Sequence, residues 1–236
     1  MIKDAPDFSV GITDLPPSVI NTMPILKNYP GGNVFYFDNF EGSNVTWEIK
    51  KEQNGDHCFA EIDKTHAYFG TGCARLYRDV DQWIYIKLRR QFQFRSSDTI
   101  GIEFSFMISD KSNAKAEIIY RYRIGSTNYM FYIIFEEGRI IVYTSGGPYA
   151  YSYGPGNGLK NMVWSNVKVI INTKDHRYVR LYYGKKVYNI SYSAYTYSGE
   201  GDESPRLRLC FYSNYGGSAA KSLWIDKVIL TDDEII

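Results

Sequence analysis

From Trp164 to Ser191 the chain reads WSNVKVIINTKDHRYVRLYYGKKVYNIS, and its apolar positions recur with a period of two. Val167, Val169 and Ile171 alternate with Asn166, Lys168 and Ile170. Successive side chains of a strand point to opposite faces, so this spacing predicts a strand with one face buried. Thr173-Lys174-Asp175-His176 then supplies turn residues, Val179, Leu181 and Tyr183 resume the alternation, and Gly184-Lys185 can reverse the chain into Val187 and Ile190. Three antiparallel strands in a meander are expected.

The same reading, carried along the chain, predicts strands at Val34 to Phe37, Val45 to Ile49, Cys58 to Ile62, Ala74 to Tyr77, Trp83 to Phe94, Thr99 to Ser109, Ala116 to Ile124, Tyr129 to Glu136, Arg139 to Thr144, Arg206 to Tyr212 and Leu223 to Leu230. No helical periodicity interrupts them. The register predicts Ile102, Phe104, Phe106, Val167 and Val169 in the core, with Glu103 and Lys168 on the exposed side. Tyr129 to Phe135 is apolar on both faces and reads as a central strand. Residues 1 to 32 hold five of the eight prolines, followed inside the same stretch by Gly31-Gly32, and read as an extended arm rather than a helix or central strand. The fold class expected is all-β, a two-sheet antiparallel sandwich over residues 33 to 236 preceded by a proline-rich N-terminal arm over residues 1 to 32.

Composition supports a packed β protein. Of the 236 residues 44% are hydrophobic, enough for a sizeable core, and the 17% aromatic share, with 22 Tyr and 13 Phe, favours strands and amphipathic binding surfaces. Lys plus Arg numbers 27 against 26 Asp plus Glu, so the molecule has no overall field to attract nucleic acid or an anionic membrane. The run Lys87-Leu88-Arg89-Arg90, flanked by Ile86, Phe92 and Phe94, reads as the outward face of a strand. Cys58, Cys73 and Cys210 form an odd set with no metal-ligand spacing; buried or reduced thiols are expected, with a Cys58–Cys73 bridge as the alternative. The first residues lack the apolar centre of a signal peptide, and the run Tyr129 to Phe135 is too short to span a bilayer. No membrane insertion and no nucleic-acid partner are expected.

Five short motifs in order carry a resemblance. They are Phe37-Asp38-Asn39-Phe40-Glu41, Gly72-Cys73-Ala74-Arg75-Leu76, the strand Ile102 to Ile108, Trp164-x-x-Val167-x-Val169 leading to Leu181-Tyr182-Tyr183-Gly184-Lys185, and Leu223-Trp224-Ile225-Asp226-Lys227-Val228. Over residues 34 to 232 the chain resembles the concanavalin A-like lectin/glucanase jelly roll, an order shared by laminin-G-like domains and many carbohydrate-binding modules. That fold hosts lectins, hydrolases and interaction modules alike.

Glycosidases of this fold that resemble laminarinases carry Glu-x-Asp-x-x-Glu on a groove strand, two carboxylates flanking the scissile bond. Here the nearest match, Glu61-Ile62-Asp63-Lys64-Thr65-His66, has His66 in place of the third acid, and Glu136 and Glu137 are neighbours that must face opposite ways. His57, His66 and His176 have no spaced acid and nucleophile beside them. A non-enzymatic protein is expected. Sugars stack their C–H faces on aromatic rings, and Gly146 to Gly156 places Tyr149, Tyr151 and Tyr153 on alternate positions between glycine and proline breaks. Arg121, Arg123 and Tyr132 are expected to add polar and stacking groups nearby; a glycan or glycosylated surface is the partner these residues suggest. The same tyrosines also suit a cap on the sandwich edge. The resemblance further implies a structural calcium at Asp38, Glu41 and Asp226, for which turn acids and a salt-bridged Asp226 are an equal explanation; no other cofactor is expected. The competing reading is a subunit of a larger particle, a virion decoration or tail-associated protein, docked on neighbouring subunits through residues 1 to 32.

Overall fold

The computed structural model describes residues 32–52, 57–78, 84–93, 97–153, 158–199, 204–213 and 221–234. The expectation for the arm therefore falls outside the described residues except for Gly32. Among the described residues sixteen strands are present: β1 (Asn33–Asp38), β2 (Glu48–Glu52), β3 (Cys58–Asp63), β4 (Cys73–Arg78), β5 (Ile84–Gln91), β6 (Thr99–Ile108), β7 (Ala114–Ile124), β8 (Thr127–Glu136), β9 (Arg139–Thr144), β10 (Gly147–Ser152), β11 (Ser165–Asn172), β12 (Arg177–Tyr183), β13 (Lys186–Asn189), β14 (Tyr195–Ser198), β15 (Arg206–Ser213) and β16 (Lys221–Asp232). They form two antiparallel sheets. Sheet A runs β13-β12-β11-β6-β16-β4-β3 with β1 also on β16, and sheet B runs β10-β9-β8-β7-β15-β5-β2 with β14 also on β8.

The meander forms as the pattern predicts. Asn172 pairs with Arg177 across the turn, and Tyr183 pairs with Lys186 across Gly184-Lys185. Gly184 takes a φ of 57°, which a two-residue hairpin asks of its first turn position. The inner faces meet through aromatic contacts: Phe106 lies tilted 5.3 Å and Phe104 edge-on 6.3 Å from Phe135, and Phe131 lies edge-on 5.0 Å from Tyr178. Ile102, Phe104, Phe106, Val167 and Val169 are all buried. Each such side chain contributes about 1.5–3 kcal/mol on leaving water, so this contact layer holds the sheets together. A polar tie crosses the same gap. The Tyr178 hydroxyl on β12 lies 2.6 Å from the Tyr132 amide and 2.9 Å from the Tyr143 carbonyl, both in sheet B.

Glu103 and Lys168 depart from expectation. They pair directly and lie on the outer side of sheet A, as the register requires, yet they are 3% and 2% exposed. The C-terminal turn explains it. Glu234 folds back over β6 and places its carboxylate 2.8 Å from Lys168 Nζ. It also bonds Thr231. Only a residue without a Cβ fits beneath it, because a methyl at Gly101 would collide with Glu234 and Thr231. Lys227 joins them from a bulge in β16 between Asp226 and Ile229, where its φ is 53°. Burial pushes the Glu103 carboxyl up to about 7, against the pull of Lys168 and Lys227. These charges sit outside the sheet-sheet core and beneath the surface.

Cys58, Cys73 and Cys210 are free and buried. Cys58 pairs with Arg78 and Cys73 with Asp63 at opposite ends of the β3–β4 hairpin, so the alternative bridge is excluded by register.

Candidate functional site

The residues singled out from the sequence separate into two groups on opposite sides of sheet B. In β10, Tyr149 pairs with Val142 and Tyr151 with Ile140. Directly paired residues share a face, and Val142 and Ile140 are fully buried, so Tyr149 and Tyr151 turn toward the sandwich edge. Tyr149 stacks on Tyr192 at 4.0 Å, Tyr151 meets Tyr188 edge-on at 5.7 Å, and Tyr153 is buried 4.8 Å from Tyr183. Of the three rings expected in a row, Tyr153 is closed off in the core, Tyr151 is partly covered and Tyr149 remains exposed at the sandwich edge. Arg121, Arg123 and Tyr132 lie on the outer face of sheet B, away from it.

That outer face is where polar and aromatic side chains gather, and the register orders them in rows across the strands. One row reads Lys50, Lys87, Cys210, Glu117, Ile134, Ile141 and Ala150. The next reads Glu48, Arg89, Arg208, Ile119, Tyr132, Tyr143 and Pro148. Beyond it lie Gln91, Arg206, Arg121, Met130 and Tyr195, and on the other side Tyr85 and Tyr212. Cys210, Glu117, Ile119 and Ile134 are buried and form a floor. Around it stand Tyr85, Lys87, Arg89, Lys115, Arg121, Tyr132, Tyr143, Arg208 and Tyr212, all half-buried. Every strand among the described residues belongs to one of the two sheets, so no described strand lies over this face. At one end it opens into a depression of about 420 Å³ lined by Lys111, Asn113, Ala114, Lys115, Glu136, Glu137, Gly138 and Arg139.

Glu117 lies at the centre. The Tyr85 hydroxyl donates to it at 2.8 Å, and the Tyr132 hydroxyl bonds the same carboxylate. Burial raises the Glu117 pKa, while Tyr85, Tyr132, Lys115 and Lys87 pull the other way. Burial and the neighbouring Glu117 raise both tyrosines far above the usual phenol range, so neither serves as a base near neutrality. Tyr132 and Tyr143 stack side by side at 4.6 Å. Glu136 shares the face, diagonal to Glu117. Burial opposes its ionisation, but Arg139 at 2.5 Å and Lys115 at 3.1 Å outweigh that and lower its pKa. Two carboxylates therefore do occupy one face, contrary to the expectation from Glu136 and Glu137 alone.

The Glu61 to His66 segment runs from the end of the edge strand β3 into the following turn. Glu61 is exposed on the edge strand β3, 3.1 Å from Arg75. Asp63 accepts from Thr65, His66 and the Trp224 indole at 2.6 Å. Burial would raise its pKa, and those bonds outweigh it to hold the carboxyl well below the usual carboxylate range. The expected calcium ligands do not converge either. Asp38 accepts from Phe40 N, Tyr36, Thr46 and the Trp47 indole. Glu41 accepts from the amide and hydroxyl of Thr71, and Asp226 from the amides of Tyr68 and Phe69. Asp226 Oδ1 is buried and accepts no hydrogen bond, yet among the described residues no three His, Cys, Asp or Glu side chains stand together as a metal site. As a set these three carboxylates do not fit a calcium ion.

Tyr85, Glu117, Tyr143 and Arg208 were not singled out from the sequence, and Lys87 and Arg89 were read there only as the outward face of a strand. Their signal was the charged or aromatic residue at most second positions of β5, β7 and β15, with Tyr143 on β9, strands distant in sequence that the fold places in one sheet.

No family model matches this chain, and no curated protein matches it. Its fold does match solved structures. An endo-β-1,4-glucuronan lyase from the fungus Trichoderma reesei superposes with a TM-score of 0.60 at 11% identity, over 85% of this chain and 96% of the other. The laminarinase catalytic domain of Thermotoga maritima gives 0.55 at 10% identity over 87% and 100%, and a cellulose-induced protein gives 0.53 at 12% over 85% and 98%. The chain has the concanavalin A-like jelly-roll fold that the motif order implied. Among the described residues no helix is long and apolar enough to cross a membrane.

Proposed function

We propose that the chain is a non-catalytic carbohydrate-binding protein whose glycan lies along the outer face of sheet B. The observation that carries this reading is the pair of cross-strand rows, which set the Tyr132–Tyr143 stack beside Arg89, Arg208 and Lys87 over a closed floor. Aromatic rings receive the C–H faces of sugar rings while cations and hydroxyls bond their oxygens. The glucuronan lyase and the laminarinase of like fold act on polysaccharides according to their names, which agrees with a glycan ligand. A glycan array on the purified chain tests the reading. Binding should appear and be lost in Tyr132→Ala, with Tyr149→Ala leaving it in place; loss in Tyr149→Ala alone would move the site to the sandwich edge.

A second reading, glycoside hydrolysis, has one observation in its favour: Glu117 and Glu136 share the face with pKa values displaced in opposite directions. Against it, Glu117 is held by two phenols and Glu136 by two cations. New reducing ends with saturated non-reducing ends on incubation with the bound glycan, abolished by Glu117→Gln, would establish hydrolysis in place of simple binding.

A further inference from the structure

We infer that the ligand of this face is an anionic polysaccharide carrying uronate carboxylates, and that Arg208 is the residue that reads the carboxylate. The inference rests on the glycan-binding reading above. It comes from how charge is compensated row by row. Lys87 is paired with Glu52 at 2.5 Å, Arg89 with Glu48 at 3.0 Å and Lys115 with Glu136 at 3.1 Å. Arg121 bonds only a neutral group, the Tyr197 hydroxyl, at 2.6 Å. Arg208 lies at the middle of the face between Arg89 and Ile119, and no described residue forms a hydrogen bond or ion pair with it.

Directly opposed like charges on neighbouring strands destabilise a sheet, yet Arg208 faces Arg89 across β15 and β5. An anion seated between the two guanidinium groups removes that repulsion. Guanidinium and carboxylate are matched in plane and in spacing, so a uronate is read by two parallel N–H bonds where a neutral sugar hydroxyl offers one acceptor. Along the same row, Tyr132 stands two strands away from Arg208, about 10 Å at the usual interstrand spacing, within the reach of one short oligosaccharide. The acids on the face argue against a phosphate backbone. Glu48, Glu52, Glu117 and Glu136 would repel a densely charged strand, and the whole chain carries a net charge of only +1.

The test uses the full chain in titration calorimetry with a polyuronate, the same polymer with its carboxyls reduced to hydroxymethyl groups, a sulfated polysaccharide and a single-stranded oligothymidylate. The polyuronate should bind at least tenfold more tightly than its reduced form, with affinity falling as salt rises. Arg208→Gln should erase that preference and Arg208→Lys should keep part of it, with melting temperatures confirming that both variants fold. Equal binding of both polymers, lost in Tyr132→Ala, would overturn the uronate inference and leave the glycan site standing. Wild-type selectivity persisting in Arg208→Gln would remove Arg208 from its role. Tighter binding of the sulfated polymer or the oligothymidylate would overturn the choice of carboxylate, and failure of every polysaccharide would sink the glycan reading with it.

Discussion

Replacing Glu103 with Gln should change the pH dependence of stability in a defined direction. Glu103 is 3% exposed on the outer side of sheet A, close to Lys168, Lys227 and Glu234. Burial is the largest influence on it and outweighs the two lysines, so the folded-state pKa stands near 7 against an ordinary value of 4.5. Between those values the folded protein holds a proton that the unfolded chain has released. Stability therefore falls as pH rises through that interval, and at 1.36 kcal/mol per pH unit the loss by pH 8 is about 3 kcal/mol. Asp226, raised by burial to about 6, acts in the same direction from 3.8 upward. Asp63, Asp110 and Glu136 have lowered pKa values, so what they contribute is lost only as the solution becomes more acidic than about pH 4.5. The wild-type protein should be most stable near pH 5.

The assay is urea unfolding of wild type and Glu103→Gln at pH 5, 6, 7 and 8, with the slope m checked for constancy. The readout is how the difference between the two proteins changes with pH, so any packing cost of the amide cancels. Relative to wild type, the variant should gain about 2.5 kcal/mol between pH 5 and pH 8. A difference that stays flat within about 1 kcal/mol would refute the account. One that grows with the opposite sign would mean that ionised Glu103 is a net favourable partner of Lys168 and Lys227.

Three further outcomes follow from individual contacts. Tyr178→Phe should cost about 1–3 kcal/mol in chemical denaturation, because it strands the Tyr132 amide and Tyr143 carbonyl between the sheets; no loss would show that water replaces the hydroxyl there. Asp38→Ala should cost a similar amount, about 1–3 kcal/mol, by leaving the Trp47 indole N–H and the Phe40 amide without their acceptor, and a shifted tryptophan emission should accompany it. All three cysteines should resist a thiol-specific chromogenic reagent in the native protein and react together once it is unfolded, since burial pushes Cys73 and Cys210 up to about 12; one fast-reacting thiol under native conditions would contradict their placement.

Strands with a buried face were legible wherever apolar residues recur at every second position, as in β6, β11 and β12. The strands that escaped are those whose pairing is decided elsewhere. β2 was expected at Val45 to Ile49 and lies at Glu48–Glu52, an exposed edge strand placed by its charge pairs with Lys87 and Arg89 rather than by an apolar pattern. β10 begins at Gly147-Pro148, residues that read as a break, yet an edge position tolerates proline because one side of the strand needs no ladder partner. β14 is four residues long. The candidate site was the least legible part, since each of its strands shows only alternation, and which strand lies beside which depends on contacts between residues as distant as Lys87 and Cys210.

The two outer faces put charge to opposite uses, and that difference locates function in sheet B. On sheet A, Glu103, Lys168, Lys227 and Glu234 are all under 5% exposed, so their energy is tied to folding and no ligand reaches them without opening the C-terminal turn. On sheet B the acids paired with cations stand at the margins, Glu48 and Glu52 on the edge strand β2 and Glu136 beside the end depression, while Arg208, diagonal to the central Glu117, forms no ion pair with any described residue. A partly exposed guanidinium that closes no ion pair with a described residue contributes little electrostatic energy to the fold. Substitutions at Glu103 or Lys168 should accordingly move the unfolding midpoint and leave ligand binding alone, and substitution of Arg208 should do the reverse. A variant of Arg208 that unfolds in less urea than Lys168→Met would place that arginine in the structural framework instead.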